Sequence, residues 1–166
     1  MIALHDFNHL PHEQALALIH PCVALPCWAD ALVHGRPYAS RDELFSTAKS
    51  LMQNWDEAAL AQALSAHPRI GEKPAGTAAE AALSRQEQGA VNDRDAALAR
   101  ALREGNARYE ARFGRVFLIR AKGRSGEEIL QALHARLENS DAQEIRAALE
   151  QLREITLLRL EGVIHE

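Results

Sequence analysis

The sequence has little cysteine, and its two cysteines are not spaced as a redox or metal motif. Cys22 and Cys27 are five residues apart, which is neither the spacing of a redox pair nor a disulfide framework. We therefore expect reduced thiols in a cytoplasmic protein. His5, His9 and His12 lie in a segment that a proline interrupts. Because no cysteine or acidic pattern completes a ligand set there, no metal site is expected.

Long hydrophobic runs and an excess of positive charge are also absent. No apolar run approaches the roughly 18 residues of a membrane span, and the N-terminus lacks the basic and apolar regions of a signal peptide. The net charge of -4 gives no overall attraction to nucleic acid or to an anionic membrane. We therefore expect neither a membrane nor a nucleic-acid partner. Phosphate-loop, dinucleotide and nucleophile-elbow motifs are missing as well.

The composition is that of a globular protein. Apolar residues make up 47% of the chain and charged residues 25%, the balance that a soluble domain has. A chain of 166 residues is long enough for one well-buried core but short for two ordinary domains. We therefore expect a single domain over residues 1–166.

Helix-start signals dominate the chain. Capping boxes, in which a hydroxyl residue and an acid or amide three positions later bind each other's backbone N–H, occur at Ser40–Glu43, Thr77–Glu80, Ser125–Glu128 and Ser140–Gln143. Asp56 is a further candidate cap, and Asn8 could cap the first helix. With no alternation of strands and helices, the pattern predicts an all-α, irregular bundle of about eight helices. The predicted helices cover 11–22, 28–34, 41–53, 57–66, 77–88, 92–113, 125–137 and 141–164.

One strand-like segment interrupts the helices. It is the apolar run V-F-L-I from Val116 to Ile119, and no second segment of this kind is apparent. A single run of four residues is too short for a sheet. We predict that it is an extended, buried connector.

His67 is the best candidate for an acid or base. Pro68 disfavours helical geometry at the residue before it, so the imidazole should project from a turn at the end of a helix. Ser84, Glu87 and Gln88 share one face of a later predicted helix, and a short loop could bring that face back to His67. Taken singly, each has an ordinary alternative: a helix cap for the histidine, a packing residue for the serine, and a solvated carboxylate for the glutamate.

A basic stretch is the second candidate feature. Arg112, Arg115, Arg120, Lys122 and Arg124 lie close together without an intervening acid. They could be solvated charges near helix ends, or backbone N–H groups and cations around residues 119–123 could hold a small anion. Nucleic acid is less favoured because the chain as a whole is acidic.

Arg159 is the third candidate. It occurs in the segment T-L-L-R-L, at a position where the apolar stripe of the last helix expects an apolar residue. Its side chain could extend to solvent along its aliphatic part. It could equally bind a buried carboxylate with its planar guanidinium group.

Taken together, the motifs resemble those of one enzyme family. The segments H-P-R-I-G, S-R-Q-E-Q, N-A-R-Y-E-A-R-F-G, V-F-L-I-R-A-K-G-R-S and L-L-R-L occur in the order and spacing of the 2-oxo-4-hydroxy-4-carboxy-5-ureidoimidazoline (OHCU) decarboxylases. The resemblance covers essentially the whole chain. It implies an all-α protein without a metal or organic cofactor, usually a homodimer, that catalyses the last step from urate to (S)-allantoin.

The resemblance also implies roles for individual residues. The catalytic histidine falls on His67 and its acidic partner on Glu87. The residues expected to contact the substrate OHCU are Pro68, Ser84, Arg85, Gln86, Glu87, Gln88, Ile119, Arg120, Ala121, Lys122, Gly123 and Arg159.

Two pairs of residues depart from the usual family pattern. Arg69 and Ile70 replace a commoner Asp-Leu pair, and Arg115 and Val116 replace a Phe-Pro pair before the apolar run. The basic stretch supports a competing hypothesis: a non-enzymatic helical module that binds a small anion or an acidic partner through the loop from Arg115 to Arg124.

Overall fold

The fold is built mainly from helices. A computed structural model describes residues 1–67, 69, 70, 83 and 96–166. Within these residues the elements are β1 (Ile2–Ala3), α1 (Leu4–His9), α2 (His12–Ile19), a 3₁₀ turn (His20–Cys22), α3 (Pro26–His34), α4 (Arg41–Met52), α5 (Glu57–Leu64), α6 (Ala96–Phe113), α7 (Gly126–Arg136), α8 (Asp141–Val163) and β2 (Ile164–His165). The prediction of a mostly α-helical fold is confirmed. The helix predicted at 77–88 lies outside the described residues, as do the first residues of the one predicted at 92–113.

Side-chain caps begin four of these helices, as the sequence predicts. The side chains of Ser40, Asp56, Ser125 and Ser140 each accept a hydrogen bond from a backbone N–H in the first helical turn. Both halves of the capping box are present at Ser125 and at Ser140. In the box at Ser40, by contrast, the Glu43 carboxylate accepts from the N–H of Ala39 at 2.6 Å. Local cap chemistry therefore sets the starts of these helices.

The first ten residues differ from the prediction. Helix α1 was not expected, and Asn8 does not cap α2. Instead, the Asn8 amide makes two hydrogen bonds of 2.9 Å with the backbone of Tyr38, one to its N–H and one to its C=O. Arg36 donates to the carbonyls of Phe7 and Leu10 at 2.7 and 2.8 Å, and Phe7 is fully buried. Tertiary contacts, and not a cap, therefore hold α1.

The expectation of only one strand-like segment was wrong. Ile2 and Ala3 pair in parallel with Ile164 and His165, so the two ends of the described chain lie side by side. Each strand has two residues, which is too few to give a recognisable alternation in the sequence. The guanidinium of Arg41 donates to the carbonyl of Ile164 at 3.0 Å and so ties α4 to this pair.

The connector after α6 separates two hydrophobic clusters. The first cluster is formed mainly by α2–α5 and α8, and the second by α6 and α7. Leu118 lies in the first cluster, whereas Phe117, Ile119 and Ala121 lie in the second. In an extended backbone, the side chains of successive residues point to opposite sides. The prediction of an extended, buried connector is therefore confirmed.

A charged network is buried where α6, α7 and α8 meet. The fully buried Glu144 carboxylate pairs with the Arg136 guanidinium and accepts from the Tyr109 hydroxyl at 2.5 Å and the Asn139 amide at 3.0 Å. Arg136 also donates to the carbonyl of Leu118 at 2.5 Å. Burial and the bond to Glu144 raise the pKa of Tyr109, so its hydroxyl remains a donor. The network thus fixes the connector to α7 and α8.

In the part of the chain that the structure describes, no helix is both long enough and apolar enough to cross a membrane.

Candidate active site

His67 lies at a corner just beyond the end of α5. The helix ends at Leu64, and the backbone N–H of His67 donates to the carbonyl of Leu64 at 3.1 Å. His67 itself has no helical conformation, which confirms the prediction made from the proline that follows it. The residue as a whole is half-buried, and its Nε2 atom is shielded from solvent.

Arg159 is buried inside the bundle. Only 3% of the residue is exposed, so its guanidinium does not extend to solvent. The Nη1 atom donates to the carbonyls of Pro21 and Cys22, at 3.3 and 3.5 Å, in the 3₁₀ turn that follows α2. A permanently charged group in such a place is costly to bury unless polar groups or an anion surround it.

The fold brings His67 and Arg159, from distant parts of the chain, within the range of electrostatic interaction. Burial and, to a smaller extent, the positive charge of Arg159 together lower the pKa of the His67 imidazole to about 3. At neutral pH the imidazole is therefore uncharged. A neutral base beside a buried cation is an arrangement that can receive an anionic molecule and accept a proton from it.

This low pKa predicts a specific loss of stability in acid. In the unfolded chain His67 titrates at about 6.5, so between pH 6.5 and pH 3 the unfolded state binds more protons than the folded state. The free energy of unfolding should therefore fall as the pH falls through this range, by about 1.4 kcal/mol for each unit by which the two pKa values differ.

Other groups also titrate in acid, so the measurement must isolate this one. We expect urea unfolding of the His67→Gln variant to show a smaller loss of stability between pH 7 and pH 4 than the wild type. Equal losses in the two proteins would contradict the assignment of a depressed pKa to His67.

The predicted substrate-binding residues 119–123 form the end of the connector and a turn. Ile119 and Ala121 are buried in the second cluster, while Lys122 and Gly123 are exposed. Gly123 has a φ of 82°, a left-handed conformation that favours glycine. The backbone N–H of Arg120 donates to Oε1 of Gln151 on α8 at 2.9 Å, so α8 holds this segment in place.

Most cations of the basic stretch contact other groups of the protein. Arg112 donates to the carbonyl of Asn139 at 2.7 Å, and Arg124 donates to the carbonyl of Arg120 at 2.9 Å. Two further arginines form ion pairs, Arg115 with Glu57 at 3.5 Å and Arg120 with Glu154 at 2.7 Å. The stretch is therefore not a continuous cationic surface, which disfavours its use for docking an acidic partner.

Helix α8 connects the two described parts of the candidate site. Gln151 holds the 119–123 segment, and Arg159, beside His67, follows it by eight residues. At the rise of an α-helix this separation is about 12 Å along the axis. The sequence did not single out Gln151, although it lies one helical turn before Ile155, on the apolar stripe.

The corner after His67 is attached to α6 in two ways. The Arg69 guanidinium forms a bidentate ion pair with Glu110, with N–O distances of 2.8 to 3.1 Å. The buried amide of Asn106 donates to the carbonyl of Ile70 at 2.9 Å, and the Ile70 side chain lies in the second cluster. Sequence reasoning missed Asn106 and Glu110. Asn106 could have been recognised because it is a polar residue next to the apolar stripe of α6.

Several predicted site residues lie outside the described residues. They are Pro68, Ser84, Arg85, Gln86, Glu87 and Gln88. Their roles stay predictions. Among the residues that are described, no group of histidine, cysteine and acidic side chains could hold a metal ion.

Comparison with known proteins places the chain in a family. A family model for OHCU decarboxylase matches residues 8–161. A 2-oxo-4-hydroxy-4-carboxy-5-ureidoimidazoline decarboxylase of Amia calva is 33% identical over 164 residues, which are 97% of this chain and 94% of the relative. The enzyme of the same name from Haloferax volcanii is 30% identical over 135 residues, or 81% of this chain and 79% of the relative.

A solved structure supports the same conclusion. The crystal structure of an OHCU decarboxylase in the presence of (S)-allantoin has a TM-score of 0.73 and is 27% identical in sequence, covering 88% of this chain and 96% of that one. Fold, sequence and the extent of the match therefore agree, and the chain belongs to the OHCU decarboxylase family.

Proposed function

We propose that this protein decarboxylates OHCU to (S)-allantoin, the last step of urate degradation, with His67 and Arg159 in the active site. The observation that carries the proposal is the neutral imidazole of His67 beside the buried guanidinium of Arg159. The relatives that share almost the whole length of the chain carry the name of this activity.

The substrate determines what the protein must supply. Loss of CO₂ from the 4-carboxylate leaves an electron pair that the conjugated ring accepts. The ring nitrogen that takes up the electron pair is then protonated by water, the 4-hydroxyl must lose its proton as it becomes a carbonyl, and a proton must reach C5. No external electron acceptor is needed. What the protein adds is orientation, exclusion of water and delivery of that proton to one face of the ring.

Arg159 suits the binding of the anionic substrate. Its guanidinium is charged at any working pH and the residue is only 3% exposed, so the attraction of the guanidinium for a carboxylate is weakly screened by water. The segment 119–123, held by Gln151, is proposed to contact the ring from another side, through Ile119, Arg120, Ala121, Lys122 and Gly123.

His67 is proposed to move the proton. Because its imidazole is uncharged at neutral pH, it must take up a proton before it can deliver one. The 4-hydroxyl is the group that the reaction itself deprotonates, so it is a suitable source. Glu87 is proposed to tune the imidazole or to polarise that hydroxyl, while Ser84 and Gln88 hold the ring by hydrogen bonds.

Freshly generated OHCU provides the test. The wild-type protein should consume it faster than the spontaneous reaction does, and the allantoin that accumulates should be optically active with the S configuration. An unchanged rate together with a racemic product would overturn the proposal. Addition of a metal chelator should leave the rate unchanged, because the proposed chemistry uses no metal or other cofactor.

The family resemblance suggests two further properties. We propose that the protein is a homodimer located in the cytoplasm. In solution, light scattering should then give twice the 18.3 kDa of one chain, whereas a mass of one chain would contradict the dimer.

A further inference from the structure

We propose that the ion pair between Arg69 and Glu110 is a positioning device that holds His67 in its catalytic orientation. The inference rests on the proposed function, because it assigns these two residues a part in that reaction. Neither residue is expected to touch the substrate. Their effect would reach the reaction through the backbone of the corner that carries the imidazole.

The first step of the argument is the short distance along the chain. Arg69 follows His67 by two residues, which is at most about 7 Å of extended backbone. The residue between them is a proline, whose ring fixes its own φ and restricts the residue before it. We therefore expect few freely rotating backbone bonds between Arg69 and His67 that could absorb a shift of Arg69.

The second step is that α6 is the support for the corner. Glu110 accepts from both Nε and Nη2 of Arg69, and Asn106, one helical turn earlier, donates to the carbonyl of Ile70 at 2.9 Å. The same helix is packed into the second cluster through Tyr109, which is fully buried. The ion pair thus joins the corner to a helix that is anchored in the second cluster.

The third step is energetic. The Arg69 and Glu110 side chains are 46% and 27% exposed, and ion pairs with this much exposure contribute little to stability. A contribution to folding is therefore small. The planar, two-point geometry of the pair instead fixes direction, which is what a proton transfer to one face of a ring requires.

The test separates positioning from stability. Arg69→Ala and Glu110→Gln should each lower kcat about tenfold and reduce the S excess of the product, while the thermal midpoint stays close to that of the wild type. The double variant Arg69→Glu with Glu110→Arg restores an ion pair and should recover much of kcat. Arg108→Ala removes the same charge from an exposed position on α6 and is the matched control.

A spectroscopic readout follows the histidine directly. Burial and the charge of Arg159 are the two causes of the low pKa of His67. A displaced imidazole would be less buried and farther from Arg159. In an NMR titration of Arg69→Ala, the pKa of His67 should therefore move from about 3 towards 6.5.

The outcomes are distinct. Unchanged kcat and an unchanged His67 titration in both single variants would overturn the inference, as would a loss of activity that follows a loss of thermal stability and is not recovered by the charge exchange. If the wild type itself does not accelerate the reaction, the proposed function fails. If the wild type accelerates the reaction and the Arg69 and Glu110 variants do so equally well, the proposed function stands and only this inference fails.

Discussion

Replacing Glu144 with alanine is expected to lower the free energy of unfolding by about 3–5 kcal/mol. The Glu144 carboxylate is fully buried and is the counter-charge of Arg136, whose side chain is 11% exposed. Without it, the guanidinium would lose the carboxylate with which it pairs, and the Tyr109 hydroxyl and the Asn139 amide would lose their acceptor. Unpartnered buried polar groups are among the largest causes of destabilisation.

Urea unfolding followed by circular dichroism measures this effect. Glu150→Ala, at an exposed position of the same helix, is the control and should change stability by less than about 0.5 kcal/mol. Combining Glu144→Leu with Arg136→Met removes both charges and should recover a large part of the loss, because paired removal avoids an isolated buried charge. A loss for Glu144→Ala no larger than that for Glu150→Ala would contradict the account.

This network also illustrates what the sequence could not predict. An acidic residue in the first turn of a helix is expected to face solvent and complement the helix dipole, and Glu144 occupies such a position. Its partners Tyr109 and Arg136 lie 35 and 8 residues earlier in the sequence. Only the packing of α6, α7 and α8 brings these groups together, so no local pattern distinguishes Glu144 from a surface glutamate.

Helix boundaries were more accessible because their causes are local. The hydroxyl at Ser125 and the glutamate three residues later form a complete box, and Gly114 takes the φ of 72° expected for a residue that follows a helix. By contrast, α1 has no side-chain cap, and it depends on Arg36 and Tyr38, which are far along the chain. The pairing of Ile2 with Ile164 is non-local in the same sense.

In the candidate site, too, some features follow from the local sequence and others depend on tertiary packing. His67 could be recognised from the proline that follows it, and Arg159 from its polar character within an apolar stripe. The tertiary fold brings these two residues into electrostatic range and also pairs Arg69 with Glu110, so neither arrangement could be predicted from the local sequence. Glu87, the predicted acidic partner of His67, lies outside the described residues, so its part in the site remains a prediction of the sequence.

Replacing His67 with glutamine is expected to lower kcat/KM for OHCU by about 10²–10⁴-fold, the usual contribution of a positioned acid or base. Glutamine can still form hydrogen bonds, but it cannot take up and return a proton at neutral pH. Binding through Arg159 should persist, so the loss should appear mainly in kcat. Rates of OHCU consumption measured under single-turnover conditions would separate the chemical step from product release.

The control for this variant is another histidine. His134 is exposed on α7, and His134→Gln should leave both kinetic constants unchanged. Far-ultraviolet circular dichroism of the His67→Gln protein should match that of the wild type, which would show that the loss is not one of folding. A His67→Gln enzyme with wild-type kcat would remove the proton-transfer role from this residue.

The most direct test of the central claim is the configuration of the allantoin formed from freshly generated OHCU by the wild type and by His67→Gln. If the neutral imidazole beside Arg159 delivers the proton to one face of the ring, the wild type gives an excess of the S enantiomer and the variant gives the racemic product of the spontaneous reaction. An undiminished S excess from His67→Gln would contradict the account, because another group would then be delivering the proton.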